Sequence, residues 1–264
     1  MRILVFIFSV LISFSTIAQN VGQKSDTLLN YTDIQGQKQG KWVKKYENEK
    51  KAYEGYFVND KPVGLFKRWY KNGQQKAIMI YDHDTVRARL FWDDGKQMSE
   101  GKYVNQLKDS LWKYYGVDGK IVAEEWYKLG KLHGKSCIFY RDSSLVQELE
   151  WKDSLKDGIW KQYYPNKQLK LEAVYKDGKR DGYMKVYYPN GQVKMEGPYY
   201  SDFKHGDWYY YTDQGGLDLK IKYRYGIPEP NEKSEKRIED LLKDVDKDKY
   251  LEPTIENFFT PNRR

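Results

Sequence analysis

A 24-residue period constrains this chain more than any other feature of its sequence. A glycine opens an aromatic-rich run at Gly40, Gly64, Gly134, Gly158, Gly182 and Gly206, and Val86 and Ser110 occupy the two remaining places. Every step is 24 residues except the 22-residue step that ends at Val86. A period between about 20 and 50 residues is typical of repeat architectures, in which each unit packs mainly on its neighbours. Eight units therefore span residues 40–229.

Each unit carries the signature of a β-hairpin. We number the residues of a unit from its opening glycine, which is position 0. Positions 8 and 9 read Asn-Gly or Asp-Gly at residues 72–73, 94–95, 118–119 and 190–191. These dipeptides between β-forming runs favour a two-residue type I′ turn, which needs positive φ at both central residues. Each unit is therefore predicted to be strand, turn and strand, followed by a polar loop at positions 18–23.

A two-residue turn at positions 8 and 9 predicts that the positions of cross-strand partners sum to 17. Position 3 is mostly Lys or Arg and position 14 mostly Glu, so this register creates ion pairs of ~0.2–1 kcal/mol each. Position 2 is mostly Trp or Phe and faces a residue at position 15 that is often small. The glycine at position 0 faces an aromatic residue at position 17, and large side chains laid over glycines stabilise sheets. All three columns agree with one register.

The same register divides the side chains between two faces. Positions 0, 2, 4, 6, 11, 13, 15 and 17 form an aromatic and aliphatic face, which we interpret as the core; a ligand-binding platform is the alternative. Positions 3, 5, 12 and 14 form the opposite face, where aromatic residues among charged pairs resemble interface anchors within a polar rim. The candidate partner-binding residues are the aromatic residues at position 5, namely Trp69, Phe91, Tyr115, Phe139, Tyr163, Tyr187 and Tyr211.

These patterns predict an all-β fold. The chain is expected to form an elongated, twisted antiparallel meander of sixteen strands, because a sheet of that length must twist or curl. In residues 230–264, Ile238, Leu241, Leu242 and Val245 follow helical spacing and predict a short helix that caps the last strand edge. Asp244, Asp246 and Asp248 resemble part of a calcium loop, but Lys249 and Ile255 replace the glycine and glutamate that such a loop requires.

The N-terminal residues indicate export. Residues 1–18 read as a signal peptide, with Arg2 before an apolar run over residues 3–17 and a small-residue cleavage site at Ala18. An uncleaved anchor is the alternative. An N-terminal extension over residues 19–39 follows, and the protein is expected in the periplasm or at the cell surface. The single cysteine, Cys137, excludes an internal disulfide.

Charge and composition argue against nucleic-acid binding and catalysis. The net charge of +8 comes from interspersed Lys and Glu, not from a one-sided basic stripe. No His or Cys pair has metal-ligand spacing. Glutamates in successive units approach the separation of inverting glycosidases, but each faces a base that keeps it ionised. The sequence therefore predicts no metal, no cofactor and no enzymatic activity.

The repeated pattern Gly-x-Trp-x-x-Tyr-Tyr-x-Asn-Gly-x(4)-Glu-x-x-Tyr resembles the MORN repeat in its bacterial variant form. The seventh unit shows it well, and the resemblance extends over residues 40–229. The third unit departs most, with Val86 and Ala88 in place of Gly and Trp and two residues missing, and Ser136 departs at position 2 of the fifth. The array is therefore expected to be irregular or kinked there. The resemblance implies a module that contacts proteins or phospholipids, and variant members are often described as antitoxins of toxin–antitoxin systems.

Three functional hypotheses follow. The first is an exported, non-catalytic repeat protein that serves as a binding module or scaffold for an unidentified protein partner. The second is an antitoxin that neutralises a toxin. The third is a cell-surface protein that binds a glycan or a phospholipid membrane. A specific protein partner would support the first two hypotheses, and the toxicity of that partner would decide between them.

Overall fold

The computed structural model of the protein describes residues 28–229. They form nineteen antiparallel strands in one open sheet and no helix. The strands are β1 (Tyr31–Thr32), β2 (Lys38–Lys45), β3 (Lys51–Val58), β4 (Lys61–Trp69), β5 (Gln75–Asp82), β6 (Thr85–Phe91), β7 (Gln97–Val104), β8 (Leu107–Tyr115), β9 (Ile121–Lys128), β10 (Lys131–Phe139), β11 (Leu145–Lys152), β12 (Leu155–Tyr163), β13 (Leu169–Lys176), β14 (Lys179–Tyr187), β15 (Val193–Tyr200), β16 (Phe203–Lys204), β17 (Gly206–Tyr211), β18 (Leu217–Arg224) and β19 (Ile227–Glu229).

The predicted all-β meander of hairpin repeats is confirmed. Strands β2 to β18 are the predicted sixteen, with one of them divided into β16 and β17 at His205. Short strands β1 and β19 flank the array, and β1, within the predicted extension 19–39, pairs with β2. The predicted signal peptide, the first part of that extension and the C-terminal helix lie outside the described residues.

The predicted register holds in every unit. In the sixth unit Gly158 pairs with Tyr175, Trp160 with Ala173 and Lys161 with Glu172, as the rule of 17 requires. The same three pairs of positions recur from the first unit, where Gly40 pairs with Phe57, to the eighth. The hydrophobic and charged columns therefore predicted the strand pairing correctly.

The predicted turn type at positions 8 and 9 is wrong. Only position 9 has positive φ, as at Lys167 (69°), and the amide of Lys167 donates to the carbonyl of Tyr164 at 2.8 Å. This is a type I turn followed by a left-handed residue and a bulge, so the register slips at position 5, where Tyr163 pairs with Leu169. Asn166 at position 8 accepts from the amide of Gln168 and donates to the carbonyl of Pro189 in the next unit, which joins neighbouring turns.

The type I′ turn lies instead between units, where a polar loop was predicted. Asp177 and Gly178 both have positive φ, at 49° and 86°, and the flanking Lys176 and Lys179 pair directly. The strands therefore continue through positions 18 and 21, and each unit is joined to the next by a second tight hairpin.

The glycine at position 0 marks a β-bulge. Between β11 and β12, Trp151 pairs with Lys156 but Leu149 pairs with Trp160, so β12 contains two extra residues. Gly158 lies in this bulge with φ of 120°, a conformation that favours glycine. A Cβ at Gly158 would collide with the side chain of Glu150. Gly158 faces Tyr175 as predicted, and the bulge is a second reason for glycine at this position.

The irregular third unit lacks this bulge. Strands β5 and β6 pair without any register shift, from Ala77 with Leu90 to Asp82 with Thr85. The two missing residues are those of the bulge, and Val86 does not need positive φ. Ser110 retains the bulge and adopts φ of 61° without the freedom of glycine.

The predicted core face is confirmed. At position 2, Trp160 is 3% exposed and Trp208 is 0% exposed. The Trp208 ring lies over Gly197, which is position 15 of the preceding unit, so close that a Cβ there would lie 2.5 Å from Cγ of the ring. In the preceding repeat the same two positions hold Ala173 and Met184, so a smaller side chain lies over a larger residue. Size complementarity between successive units thus fills the core.

Candidate partner-binding surface

The seven aromatic residues at position 5 all lie half-buried on the face opposite the core, which we call the outer face. The Tyr163 hydroxyl donates to Glu148 of the preceding unit at 3.1 Å. Burial, together with this hydrogen bond, raises the pKa of Tyr163 to about 12. Tyr115 and Tyr211 make the same bond to the preceding unit, to Glu100 at 2.7 Å and Glu196 at 2.9 Å. These three tyrosines are therefore held in place by hydrogen bonds and are not free side chains.

The predicted ladder of ion pairs accompanies these rings. Lys161 lies 3.4 Å from Glu172, and Lys185 lies 3.0 Å from Glu196. Arg89 lies 3.4 Å from Glu100, whose pKa is lowered mainly by the Tyr115 hydroxyl and further by Gln97 and Arg89, despite partial burial. A carboxylate held ionised in this way is a poor proton donor at neutral pH.

A second, more exposed row lies on the same face and was missed by the sequence analysis. Positions 1 and 16 pair across each hairpin, and in four units both residues are apolar. Ile159 is 43% exposed and Trp126 is 47% exposed. Strand alternation places positions 1 and 16 beside 3 and 14, so the signal was present in the sequence. The apolar pairs are Leu65 with Ile80, Leu111 with Trp126, Ile159 with Val174, and Tyr183 with Pro198.

The backbone beneath the outer face is held from the other side of the sheet. The hydroxyl of Tyr164, at position 6, donates to the carbonyl of Tyr187 in the next unit at 2.7 Å. Tyr140 and Tyr188 repeat this contact one unit earlier and one unit later. Five of the seven aromatic residues at position 5 thus accept a hydrogen bond at their own carbonyl from a tyrosine of the preceding unit, which preorganises the outer face there. The exceptions are Tyr115 and Phe139, because the preceding units have Trp92 and Gly116 at position 6.

Basic residues at position 22 close the core face, which the sequence analysis also missed. The ammonium of Lys204 lies 4.3 Å from the ring centroid of Trp208 and 5.1 Å from that of Tyr223, and it donates to the Tyr210 hydroxyl at 3.0 Å. Burial, together with the charge of Arg180, lowers the pKa of Lys204 to about 8. Lys108 contacts Trp112 in the same way at 4.7 Å. These lysines cover the core rings with cation–π contacts.

The described part of the chain offers little reactive chemistry. Residues 28–229 contain no group of three or more His, Cys, Asp and Glu side chains that could hold a metal ion. Cys137 is half-buried, and burial raises the pKa of its thiol to about 11, which disfavours the nucleophilic thiolate. Within the same residues, no helix is long and apolar enough to cross a membrane.

Weak similarities to solved structures do not extend this description. A crystal structure of a mutant of S. aureus TarM in complex with Fondaparinux, alpha-GlcNAc-glycerol and UDP is 12% identical, with a TM-score of 0.27, and the match covers 33% of this chain and 18% of that one. A second crystal structure of TarM is 15% identical, also with a TM-score of 0.27, over 35% and 20% of the two chains. This chain thus spans about a fifth of the length of those proteins, and such scores support no functional argument. No curated protein matches the sequence significantly.

A family comparison matches the hairpins themselves. Residues 156–177 and 180–200 match the family described as MORN repeat variant. The two segments correspond to hairpins β12–β13 and β14–β15, and the other units share their register. MORN repeats are generally protein- or membrane-binding modules, and their all-β fold is typically non-catalytic. The match therefore confirms the resemblance to the MORN repeat variant over residues 156–200.

Proposed function

We propose that this is an exported, non-catalytic repeat protein that binds another protein through its outer face, as a binding module or scaffold. The observation that supports this most is the exposed apolar row at positions 1 and 16, which runs beside the ion-pair ladder and the half-buried aromatic row. Protein interfaces combine apolar and aromatic anchors with a surrounding polar rim. The outer face has that composition on a preorganised backbone, which reduces the entropy lost on binding.

The sixth and seventh units form the best candidate for the centre of the contact. Ile159 and Val174 lie beside Tyr183 on the exposed row, and Tyr163 and Tyr187 follow on the aromatic row. Lys161 and Lys185 with their glutamate partners lie between the two rows. An apolar partner side chain seated here would be enclosed by aromatic rings and satisfied ion pairs.

Photo-crosslinking tests this proposal in cells of the native host. A photoreactive phenylalanine analogue is placed at Ile159 or Tyr183 on the outer face, and at Leu155 as the control. Leu155 is equally apolar and 51% exposed, but it lies at the edge of the sheet beside a type I′ turn. The proposal expects one discrete protein adduct from the two outer-face positions and none from Leu155. Equal adducts from all three positions, or none from the outer face, would contradict it.

The same experiment separates the alternative functions. If the adduct is a protein that stops growth when it is expressed alone, the antitoxin function replaces the scaffold function. If no adduct forms and the purified chain instead binds glycan arrays or liposomes, the surface-binding function replaces both.

Export is the second part of the proposal, and it rests on the apolar run over residues 3–17 and the small-residue site at Ala18. Cell fractionation and N-terminal sequencing test it. We expect a chain that begins at Gln19 outside the cytosol. A full-length chain that retains Met1 and accumulates in the cytosol would refute export and leave the binding proposal standing.

A further inference from the structure

The outer face changes its charge at the second and third units. In these units positions 1, 3, 14 and 16 contain four bases and one acid, a net charge of +3. The same positions of the sixth and seventh units contain two bases and two acids, a net charge of zero. The four bases are Lys67, Arg87, Arg89 and Lys102, and the acid is Glu100.

A single residue explains part of this excess. Ile78 occupies position 14 of the second unit, where six of the eight units have glutamate. It pairs with Lys67 on one side and Arg89 on the other, so the ladder lacks the carboxylate that would join them. Among the described residues, neither Lys67 nor Arg87 makes an ion pair; Glu54 faces Lys67 from β3 but binds Lys41 and Lys51 instead. Arg87 also faces Lys102 directly across β6 and β7, and opposed like charges destabilise a sheet.

The excess charge surrounds a depression of about 460 Å³. It lies where β5 and β6 pair without the bulge, so two residues that are present in the neighbouring units are missing here. Its apolar floor includes Ile78, Ile80 and Leu111. Its charged lining consists of four bases and one acid, namely Arg87, Arg89, Lys102, Lys113 and Glu100. We call this depression the basic groove.

We propose that the basic groove binds an acidic segment of a partner protein, in which apolar side chains lie among the carboxylates. This inference rests on the proposed protein-binding function and assigns the chemistry of one contact. Arg87 and Arg89 lie on the same side of β6, about 7 Å apart, which leaves room for two carboxylates. Guanidinium groups bind carboxylates through paired hydrogen bonds. The isoleucine floor between the charges favours a peptide, because a bare phosphate group would leave that floor in contact with water.

A labelled synthetic peptide of mixed glutamate and leucine serves as the probe, and its binding to the purified full chain is followed by fluorescence anisotropy. The test variant is Arg87→Ala/Arg89→Ala. The matched control is Lys41→Ala/Lys135→Ala, which removes the same charge from position 1 of the outer face in the first and fifth units, where these lysines pair with glutamates and do not line the groove. We expect roughly tenfold or greater weakening in the test variant, about twofold or less in the control, and weaker binding at higher salt.

A third variant restores the ladder. Ile78→Glu supplies the missing carboxylate between Lys67 and Arg89, so we expect it to fold as stably as the wild type and to lose peptide binding. Equal weakening in the test and control variants would overturn the proposal, as would unchanged binding in Ile78→Glu. Binding of phosphatidylglycerol vesicles without binding of the peptide would overturn it too. Outer-face crosslinking at Ile159 that persists while the peptide fails would remove this proposal alone and leave the proposed function intact.

Discussion

Substitution of Gly197 by alanine tests the packing rule that joins successive units. A Cβ at this position would lie 2.5 Å from Cγ and 2.6 Å from Cε2 of the Trp208 ring. The ring must therefore move by about 1 Å to restore ordinary carbon–carbon contact. Trp208 is fully buried, its centroid lies 5.1 Å from that of Tyr199, and its indole nitrogen donates to the carbonyl of Pro198 at 2.9 Å. Such overpacking costs about 1–3 kcal/mol, and we expect the upper half of that range.

A double-mutant cycle separates this clash from a general loss of stability. One repeat earlier the same two positions hold a larger residue under a smaller side chain, because Ala173 pairs with Met184 across β13 and β14. Trp208→Met alone leaves a cavity over Gly197 and should cost about 2–4 kcal/mol. Gly197→Ala/Trp208→Met reproduces the natural pair, so its cost should be smaller than the sum of the single costs by about 1–2 kcal/mol.

Chemical denaturation followed by tryptophan fluorescence and circular dichroism measures all four corners of the cycle. Costs that simply add would contradict the packing rule, because independent residues do not interact. A cost below about 0.5 kcal/mol for Gly197→Ala would contradict it more directly, since the backbone would then have yielded where the structure leaves no space.

Three further predictions address the bulge, the two faces and a buried lysine. Ser110→Gly should stabilise the chain by about 0.5–1 kcal/mol, because glycine adopts the φ of 61° at this bulge without strain. Val86→Gly should destabilise the chain, because no bulge exists there, and thermal melting compares the two variants. Trp160→Ala should cost about 3–5 kcal/mol, whereas Tyr163→Ala, at a partly buried residue, should cost only about 1–2 kcal/mol and weaken partner binding. Equal costs in denaturation would contradict the division into two faces. Burial lowers the pKa of Lys204 in the folded chain to about 8 from 10.5, so between these pH values the unfolded chain binds more protons and the free energy of unfolding rises with pH. Denaturation at about pH 8 and 9.5 should show a smaller rise in Lys204→Met than in the wild type, and an identical rise would contradict the lowered pKa of Lys204.

The strand pairing could be predicted from the sequence because several pairs of positions independently require the same register. The position-3 and position-14 columns, and those at positions 2 and 15, each require the same register, and Lys161 pairs with Glu172 and Trp160 with Ala173 accordingly. A shift of the strand register by one residue would move every side chain to the opposite face of the sheet, so even weakly conserved columns were sufficient to predict the register.

The turns could not be predicted in the same way. Asn-Gly is compatible both with a type I′ turn and with a type I turn that places only its glycine at positive φ. Contacts between units decide between them, because Asn166 bonds to Pro189 of the next hairpin, and a single hairpin contains no sign of that bond. The bulge at Gly158 was hidden for a related reason, since its two extra residues recur in the second unit and in the fourth to eighth units and look like part of the period.

The candidate surface was predicted only in part. Position 5 does lie on the outer face, but the half-burial of Tyr163 and its bond to Glu148 depend on the preceding repeat. Lys204 looked like a loop residue because its aromatic neighbours come from positions assigned to the core. The apolar pairs at positions 1 and 16 were visible in the sequence, but charged pairs replace them in other units and interrupt the column.

Hydroxyl-radical footprinting of the chain, alone and in complex with its captured partner, tests whether the outer face is the binding surface. Aromatic side chains react readily with hydroxyl radicals, and both faces of this sheet carry them. We expect partner binding to protect outer-face residues such as Tyr183 and Tyr187, while Trp160 and Trp208 on the core face remain unreactive in both states. Unchanged labelling of the outer face, with protection confined to the sheet edges or the core face, would contradict it.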